Sequence, residues 1–223
     1  MQEFETVCRL KEGSRGTVEL IRHKSTGTRF VLRRYMGNAE VYKKLIHYDV
    51  PNLPAVYEVA QGERENLVLE EYIQGDNLGE LLRGGLFTPA ETRDIARQLC
   101  RALWVLHSMN TVHRDVKPEN VILRGKTAVL IDFDAARVYK PGCTQDTQIL
   151  GTIGFAAPEQ FGFSQSDIRT DIYSLGVLIN VMLTGRHPSE KLAPGRLGRI
   201  VERCIRVNLQ RRYPSVLRIM EDL

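Results

Sequence analysis

In the stretch VHRDVKPENVIL, Val112 to Leu123, five polar or ionisable residues, His113, Arg114, Asp115, Lys117 and Asn120, crowd around one proline before the chain turns into apolar β-formers. Downstream, NVILRGKTAVLID holds two short apolar runs on either side of Arg124 to Lys126. A hairpin centred on Lys126 would set Asn120 and Asp132 opposite each other at its open end. Hard oxygen ligands converging beside a cationic loop suit Mg²⁺ holding phosphates. Asp115, just upstream, is placed to take a proton from an incoming hydroxyl, and Lys117 to neutralise a migrating phosphate. Metal ligands, a base and a cation are the parts that a phosphoryl transfer requires.

The elements that must position these groups are readable from spacing. GTVELIRHKSTGTRFVLRRY predicts two strands joined at Lys24 to Gly27, and PAVYEVA and NLVLEEYI predict two more, with a weakly helical stretch from Ala39 to Ile46 between the pairs. The first third is therefore expected to be a small antiparallel sheet carrying one helix. From GDNLGELLR onward the spacing becomes helical. TPAETRDIARQLCRALWVLHSMN opens with Thr88 as N-cap, Pro89 at the first helical position and Glu91 three residues after the cap. Ile95, Leu99, Leu103 and Leu106 form its apolar stripe. TDIYSLGVLINVMLTG and YPSVLRIMEDL complete a mostly helical half, with a hinge expected at Glu71 to Gly75.

Composition narrows the class. Of 223 residues, 43% are apolar and 26% charged, the balance of a folded globular chain. Lys and Arg exceed Asp and Glu by 31 to 27, a scattered excess that points to a solvated surface and no nucleic-acid partner. Cys8, Cys100, Cys143 and Cys204 lie far apart and predict free thiols in a reducing compartment, here the cytoplasm. The start, MQEFETVCRLKEG, lacks an apolar core flanked by basic residues, so no signal peptide is expected. YSLGVLINVML is well short of the roughly 18 apolar residues that span a bilayer, so no membrane segment is expected either.

The motifs resemble those of the eukaryotic-like Ser/Thr protein kinases. HRDVKPEN resembles their catalytic loop, DFD from Asp132 stands where they carry Asp-Phe-Gly, and AAPE ending at Glu159 resembles the close of their activation segment. SDIRTDIYSLG resembles the start of their central helix, with Asp171 as the buried anchor of the catalytic loop. Taken singly, His113 would read as a packed core residue, Asp132 as a turn or cap, and Glu159 and Arg212 as surface charges. Their occurrence together and in order carries the resemblance, which implies an α+β, two-lobed fold and an Arg212 to Glu159 salt bridge.

Several positions depart from the family pattern. LKEGSRGTVEL resembles the glycine-rich loop over ATP phosphates, with Gly13, Ser14, Gly16 and Val18 in place but Lys11 where the first glycine belongs. The lysine of the third strand is replaced by Arg33, and Arg is not its equivalent, because its planar fork prefers bidentate partners. Apolar register at Val41, Tyr42 and Leu45 puts Asn38 at the position of the helix glutamate, with Glu40 nearby. Glu70 falls at the back of the adenine pocket, where it either pairs with Arg33 or, after a one-residue shift, points to solvent. Asp134 replaces the glycine after Phe133. The segment from Gly185 to Tyr213 is short for the helix that many kinases use to dock protein substrates.

The resemblance thus implies one kinase domain, with a smaller lobe from Met1 to Ile73 and a larger one from Gln74 to Leu223, transferring the γ-phosphate of ATP to Ser or Thr hydroxyls of protein substrates. Asp115 is the expected base, Lys117 the phosphate cation, and Asn120 and Asp132 the ligands of Mg²⁺ or Mn²⁺. Gly13, Ser14, Gly16, Val18, Val31, Arg33, Glu71 and Ile122 are the expected ATP contacts, with Val31 and Ile122 on the adenine. A regulatory phosphate is placed on Thr144 or Thr147. The alternatives are a pseudokinase serving as a nucleotide-binding or scaffolding module, and a kinase of small molecules.

Overall fold

The computed structural model describes residues 3–13, 16–63, 65–139, 152–161 and 165–223, which fall into two compact units, Met1–Gln74 and Gly75–Leu223. Ser14, Thr144, Thr147 and Cys143 lie outside the described residues.

The first unit is a five-stranded antiparallel sheet. Its strands β1 (Phe4–Gly13), β2 (Gly16–His23), β3 (Arg29–Tyr35), β4 (Val56–Gln61) and β5 (Asn66–Glu71) lie in the order β1-β2-β3-β5-β4. Period-two alternation explains β2, β3 and β5, because cross-strand partners share a face. Val18 pairs with Arg33 and Arg33 with Val68, while Leu20 pairs with Val31 and Val31 with Glu70. These six side chains form one buried face. β1 had no alternation to announce it, since nine of its ten residues are exposed.

The one helix among the unit's described residues, α1 (Glu40–Leu45), buries Val41, Tyr42 and Leu45, and the Tyr42 ring tilts against Tyr35 at 5.7 Å. Asn38 precedes this helix, is exposed, and accepts the Glu40 N–H at 2.8 Å, so it occupies a turn and not a helix face.

The second unit is mostly helical. After β6 (Asp76–Asn77) come α2 (Leu78–Gly84) and α3 (Pro89–Ser108). Thr88 Oγ1 accepts the Glu91 N–H and the Glu91 carboxylate accepts the Thr88 N–H, the reciprocal cap read from the sequence. Ile95, Leu99, Leu103 and Leu106 are buried along one stripe that His107 continues. Then follow β7 (Thr111–Val112), β8 (Val121–Arg124), β9 (Thr127–Leu130), β10 (Arg137–Val138), α4 (Ile168–Thr184), α5 (Gly195–Cys204) and α6 (Val216–Asp222). β6 pairs with β8 and β8 with β9, while β7 pairs with β10. The apolar α4 packs against α3 and α5, and it is buried on nearly every side.

The β8–β9 hairpin corrects one expectation. Arg124 pairs with Thr127 and Val121 with Leu130, so the turn is the two residues Gly125–Lys126, with Gly125 at φ +61°. Its centre lies half a residue before Lys126. The partner of Asn120 is therefore Ile131, whose N–H donates to the Asn120 carbonyl at 2.9 Å, and Asp132 sits one residue beyond.

Candidate active site

The HRDVKPEN loop is held by Asp171 on the first turn of α4. This carboxylate is fully buried and accepts the backbone N–H of His113 at 2.9 Å and of Arg114 at 2.8 Å, with His107 Nε2 at 2.9 Å. Burial alone would push Asp171 up, but the hydrogen bond and charge of His107, with His113 and the Arg114 N–H, outweigh it and leave the group below its ordinary range. The same bonds hold Arg114 at φ +69°, a backbone region that a branched or long side chain rarely occupies. Gln160 Nε2 donates to the Arg114 carbonyl at 2.8 Å, so the peptides on both sides of Arg114 are pinned. The next residue is Asp115.

Three groups converge on the Asp115 carboxylate. Asn120 Nδ2 donates to its Oδ2 at 2.9 Å, Lys117 Nζ lies 2.8 Å from the same oxygen, and Thr152 Oγ1 donates to Oδ1 at 2.7 Å. Lys117 Nζ also donates to Thr152 Oγ1 at 2.8 Å, which closes a carboxylate, ammonium and hydroxyl triangle. Asn120 spends its second amide hydrogen on the Asp115 carbonyl at 2.8 Å. With both hydrogens used, the oxygen Oδ1 is the atom left to a cation. Asp132, 8% exposed, stands at φ +69° one residue past the partner of Asn120. An amide oxygen and a carboxylate form a hard donor set, which fits Mg²⁺. Phe133 packs edge-on against His113 at 5.5 Å, tying the two motifs together. Asp134 has no need of the freedom of the glycine it replaces, since it is not among the residues of positive φ, and its N–H approaches Asp132 Oδ1 at 3.5 Å.

Glu159 and Arg212 form the buried pair expected from the resemblance, at 2.7 and 2.9 Å in a fork-on-fork arrangement. The remaining guanidinium donors go to the carbonyls of Arg206, Arg169 and Val207, and Thr170 Oγ1 donates to Glu159 at 3.0 Å. This fastens the segment that carries Thr152 and Gln160 to α4.

In the first unit, Gly13 and Gly16 face each other across the β1–β2 turn, and Val18 pairs directly with Arg33. Arg33 is 4% exposed and its Nε donates to Glu70 Oε1, Glu70 being 3% exposed. The solvent-facing alternative for Glu70 is thereby overturned, because its place opposite Val31 turns it onto the buried face. The Glu71 carboxylate accepts the Ala55 N–H at 3.3 Å. Ile122 is half-buried on β8 of the second unit.

Three residues of this arrangement were absent from the sequence reading. Thr152 reaches Asp115 across 37 positions, Gln160 reaches Arg114 across 46, and His107 reaches Asp171 across 64. The one signal available was a histidine continuing an apolar helix stripe.

Comparison with known proteins agrees with this construction. The chain is 29% identical over 210 residues to "Serine/threonine-protein kinase pkn2" of Myxococcus xanthus, covering 86% of this chain and 25% of that protein. It is 29% identical over 217 residues to "Serine/threonine-protein kinase D" of Synechocystis, covering 86% and 42%, respectively. It is 30% identical over 207 residues to "Aurora kinase" of Saccharomyces cerevisiae, covering 86% and 55%. The chain therefore spans from about a quarter to about half the length of these relatives. The family described as protein kinase domain matches residues 4–217. With the sheet unit, the helical unit and the matched motifs in order, this chain belongs to the protein kinase domain family.

Proposed function

We propose that the chain transfers the γ-phosphate of MgATP to Ser or Thr hydroxyls of proteins. The observation that carries this is the Asp115 carboxylate bracketed by Lys117, Asn120 and Thr152 at 2.7 to 2.9 Å. Asp115 accepts the proton of the acceptor hydroxyl as that oxygen bonds to the γ-phosphorus, and the bond from phosphorus to the β–γ bridging oxygen breaks to release ADP. Lys117 shields the charge on the transferring group. Asn120 Oδ1 and Asp132 would hold Mg²⁺, or Mn²⁺ in its place, and the bound ion supplies charge neutralisation to the phosphates. By resemblance, ATP contacts are assigned to Gly13, Ser14, Gly16, Val18, Val31, Arg33 and Glu71 in the first unit and to Ile122 in the second.

Among the described residues no helix is long and apolar enough to cross a membrane. Cys8, Cys100 and Cys204 are free thiols, which supports placement in the cytoplasm. A panel of Ser, Thr and Tyr peptides beside small alcohols, each with γ-labelled ATP, tests the acceptor class. Label on Ser or Thr peptides is the expected result, and label only on small alcohols would replace protein by small-molecule substrates.

One observation favours a second reading. Arg33, at the position where the family keeps lysine, is already engaged by Glu70, which suits a pseudokinase whose first unit no longer handles phosphates. Nucleotide binding without transfer to any acceptor is what that reading predicts.

A further inference from the structure

Between α3 and the β8–β9 hairpin lies a cleft of about 620 Å³, wholly within the second unit. Gln98 fixes its width. Its Nε2 donates to the Lys126 carbonyl at 2.9 Å and its Oε1 accepts the Ala128 N–H at 2.9 Å, so the hairpin is tied to the middle of α3. Ile95, buried, and Phe87 and Leu123, half-buried, are the apolar part of the lining, and Phe87 is held through its N–H on the Met182 carbonyl at 3.0 Å. Three cations line the same cleft, Arg97 and Arg101 one turn apart on α3 and Lys126 at the hairpin tip. None of these three side chains has an ion pair or hydrogen bond among the described residues. Of the two acidic residues in the lining, Glu91 is committed to the Thr88 cap, and Asp94 forms no ion pair among the described residues. Like charges one turn apart on a helix repel, so the arrangement costs stability that an added anion returns.

We propose that this cleft docks an acidic segment of a protein substrate, with carboxylates on Arg97, Arg101 and Lys126 and one apolar side chain entering between Phe87, Ile95 and Leu123. This rests on the reading that the acceptors are proteins. From Glu91 to Arg101 the helix rises about 15 Å, the reach of about five residues of extended chain. The volume is that of an ordinary ligand cleft, roughly 300–1,000 Å³. Uncommitted cations select an acidic partner, and the apolar floor supplies the anchor that charge alone lacks. Asp115, Lys117, Asn120 and Asp132 are not in the lining, so the segment bound here is a part of the substrate other than the residue that receives phosphate. Residues 185–194, between α4 and α5, form no helix, so the docking helix implied by the resemblance is not supplied there and recognition falls to another surface.

The test uses the 223-residue chain as the parent, as the double variant Arg97→Ala with Arg101→Ala, and as Arg199→Ala, an exposed cation of α5 outside the cleft. Melting without ligand shows that each is folded. Calorimetry measures binding of the peptide Glu-Leu-Asp-Glu-Leu, of its counterpart Lys-Leu-Lys-Lys-Leu and of inorganic phosphate. The parent and Arg199→Ala should bind the acidic peptide alike, and the double variant about 10-fold or more weakly, the value of one charge-assisted contact. The basic peptide should not bind. In transfer from γ-labelled MgATP, joining the acidic segment to a Ser peptide through a flexible linker should lower KM about 10-fold in the parent with kcat unchanged, and the gain should vanish in the double variant. Equal binding by parent and double variant, or a basic peptide bound as well as the acidic one, overturns the proposal. So does inorganic phosphate bound as tightly as the peptide and lost in the same variant, which makes this a small-anion site. A parent that sediments as a dimer beside a monomeric double variant overturns it too, by giving the cleft to a second copy. Equal KM for the two Ser peptides in the parent ends the docking role and leaves the kinase reading intact. Transfer to neither peptide defeats the kinase reading, and the calorimetry, which needs no transfer, still decides the cleft.

Discussion

Replacing Asp171 by Asn removes one charge from the point where α4 holds the HRDVKPEN loop. Oδ2 serves both the His113 N–H and His107, and Oδ1 serves the Arg114 N–H. If the Asn oxygen takes the place of Oδ2, its amide nitrogen faces the Arg114 N–H, donor against donor. Leaving such buried groups unsatisfied costs about 1–3 kcal/mol each, and the two retained bonds lose their charge assistance, so about 3–5 kcal/mol is the expected loss. At roughly 2–4 °C per kcal/mol for a chain of this size, melting should fall by about 6–20 °C. The sign of the pH dependence follows from the depressed Asp171 group. Its stabilisation is complete above the unfolded value of about 3.9 and is lost as pH falls through the lower folded value. Urea unfolding of parent and variant at pH 7, 5 and 3 should therefore show a gap that is wide at the first two and narrows below about pH 4. With Arg114 released from its strained backbone, phosphate transfer should fall further than stability alone explains. A gap equal at pH 7 and pH 3, or no gap, would refute the anchoring role.

Other perturbations test other parts. Arg212→Leu strands the buried Glu159 charge and should cost about 3–5 kcal/mol in urea unfolding at pH 7. Gly16→Ala should cost about 2 kcal/mol or more, since Gly16 stands at φ +148° and a Cβ there would lie 1.9 Å from the Arg34 carbonyl oxygen, and the loss should appear in chemical denaturation of the unliganded chain. Burial raises the Cys100 thiol from 9.0 to about 12 and raises Cys204 as well, so their contribution is present below the unfolded value and lost as pH rises. Stability above about pH 9 should then fall by about 1.4 kcal/mol per pH unit for each thiol, and Cys100→Ala should flatten that slope in alkaline melting curves.

Much of this arrangement was legible because it is local. The Thr88 and Glu91 cap, the α3 stripe and the alternation of β2, β3 and β5 are all written within a few residues of one another, where period and end signals act. The partner of Glu70 was legible for a different reason: two unusual residues on adjacent strands must satisfy each other if both are buried. β1 was not, because a strand exposed along its length shows no alternation. The hairpin was misplaced by half a residue, since only the turn geometry of Gly125–Lys126 decides whether one or two residues form its tip. Thr152 and Gln160 reach Asp115 and Arg114 through tertiary folding alone, and no local pattern marks a threonine or glutamine for that role.

As the proposed base, Asp115 should serve the chemistry and not the binding. Single-turnover transfer from γ-labelled MgATP to a Ser or Thr peptide, measured beside MgATP affinity, compares the parent with Asp115→Asn. The expected result is a rate loss of about 100-fold or more, as for removal of a positioned general base, with affinity within about threefold of the parent. Equal rates in the two proteins would contradict it.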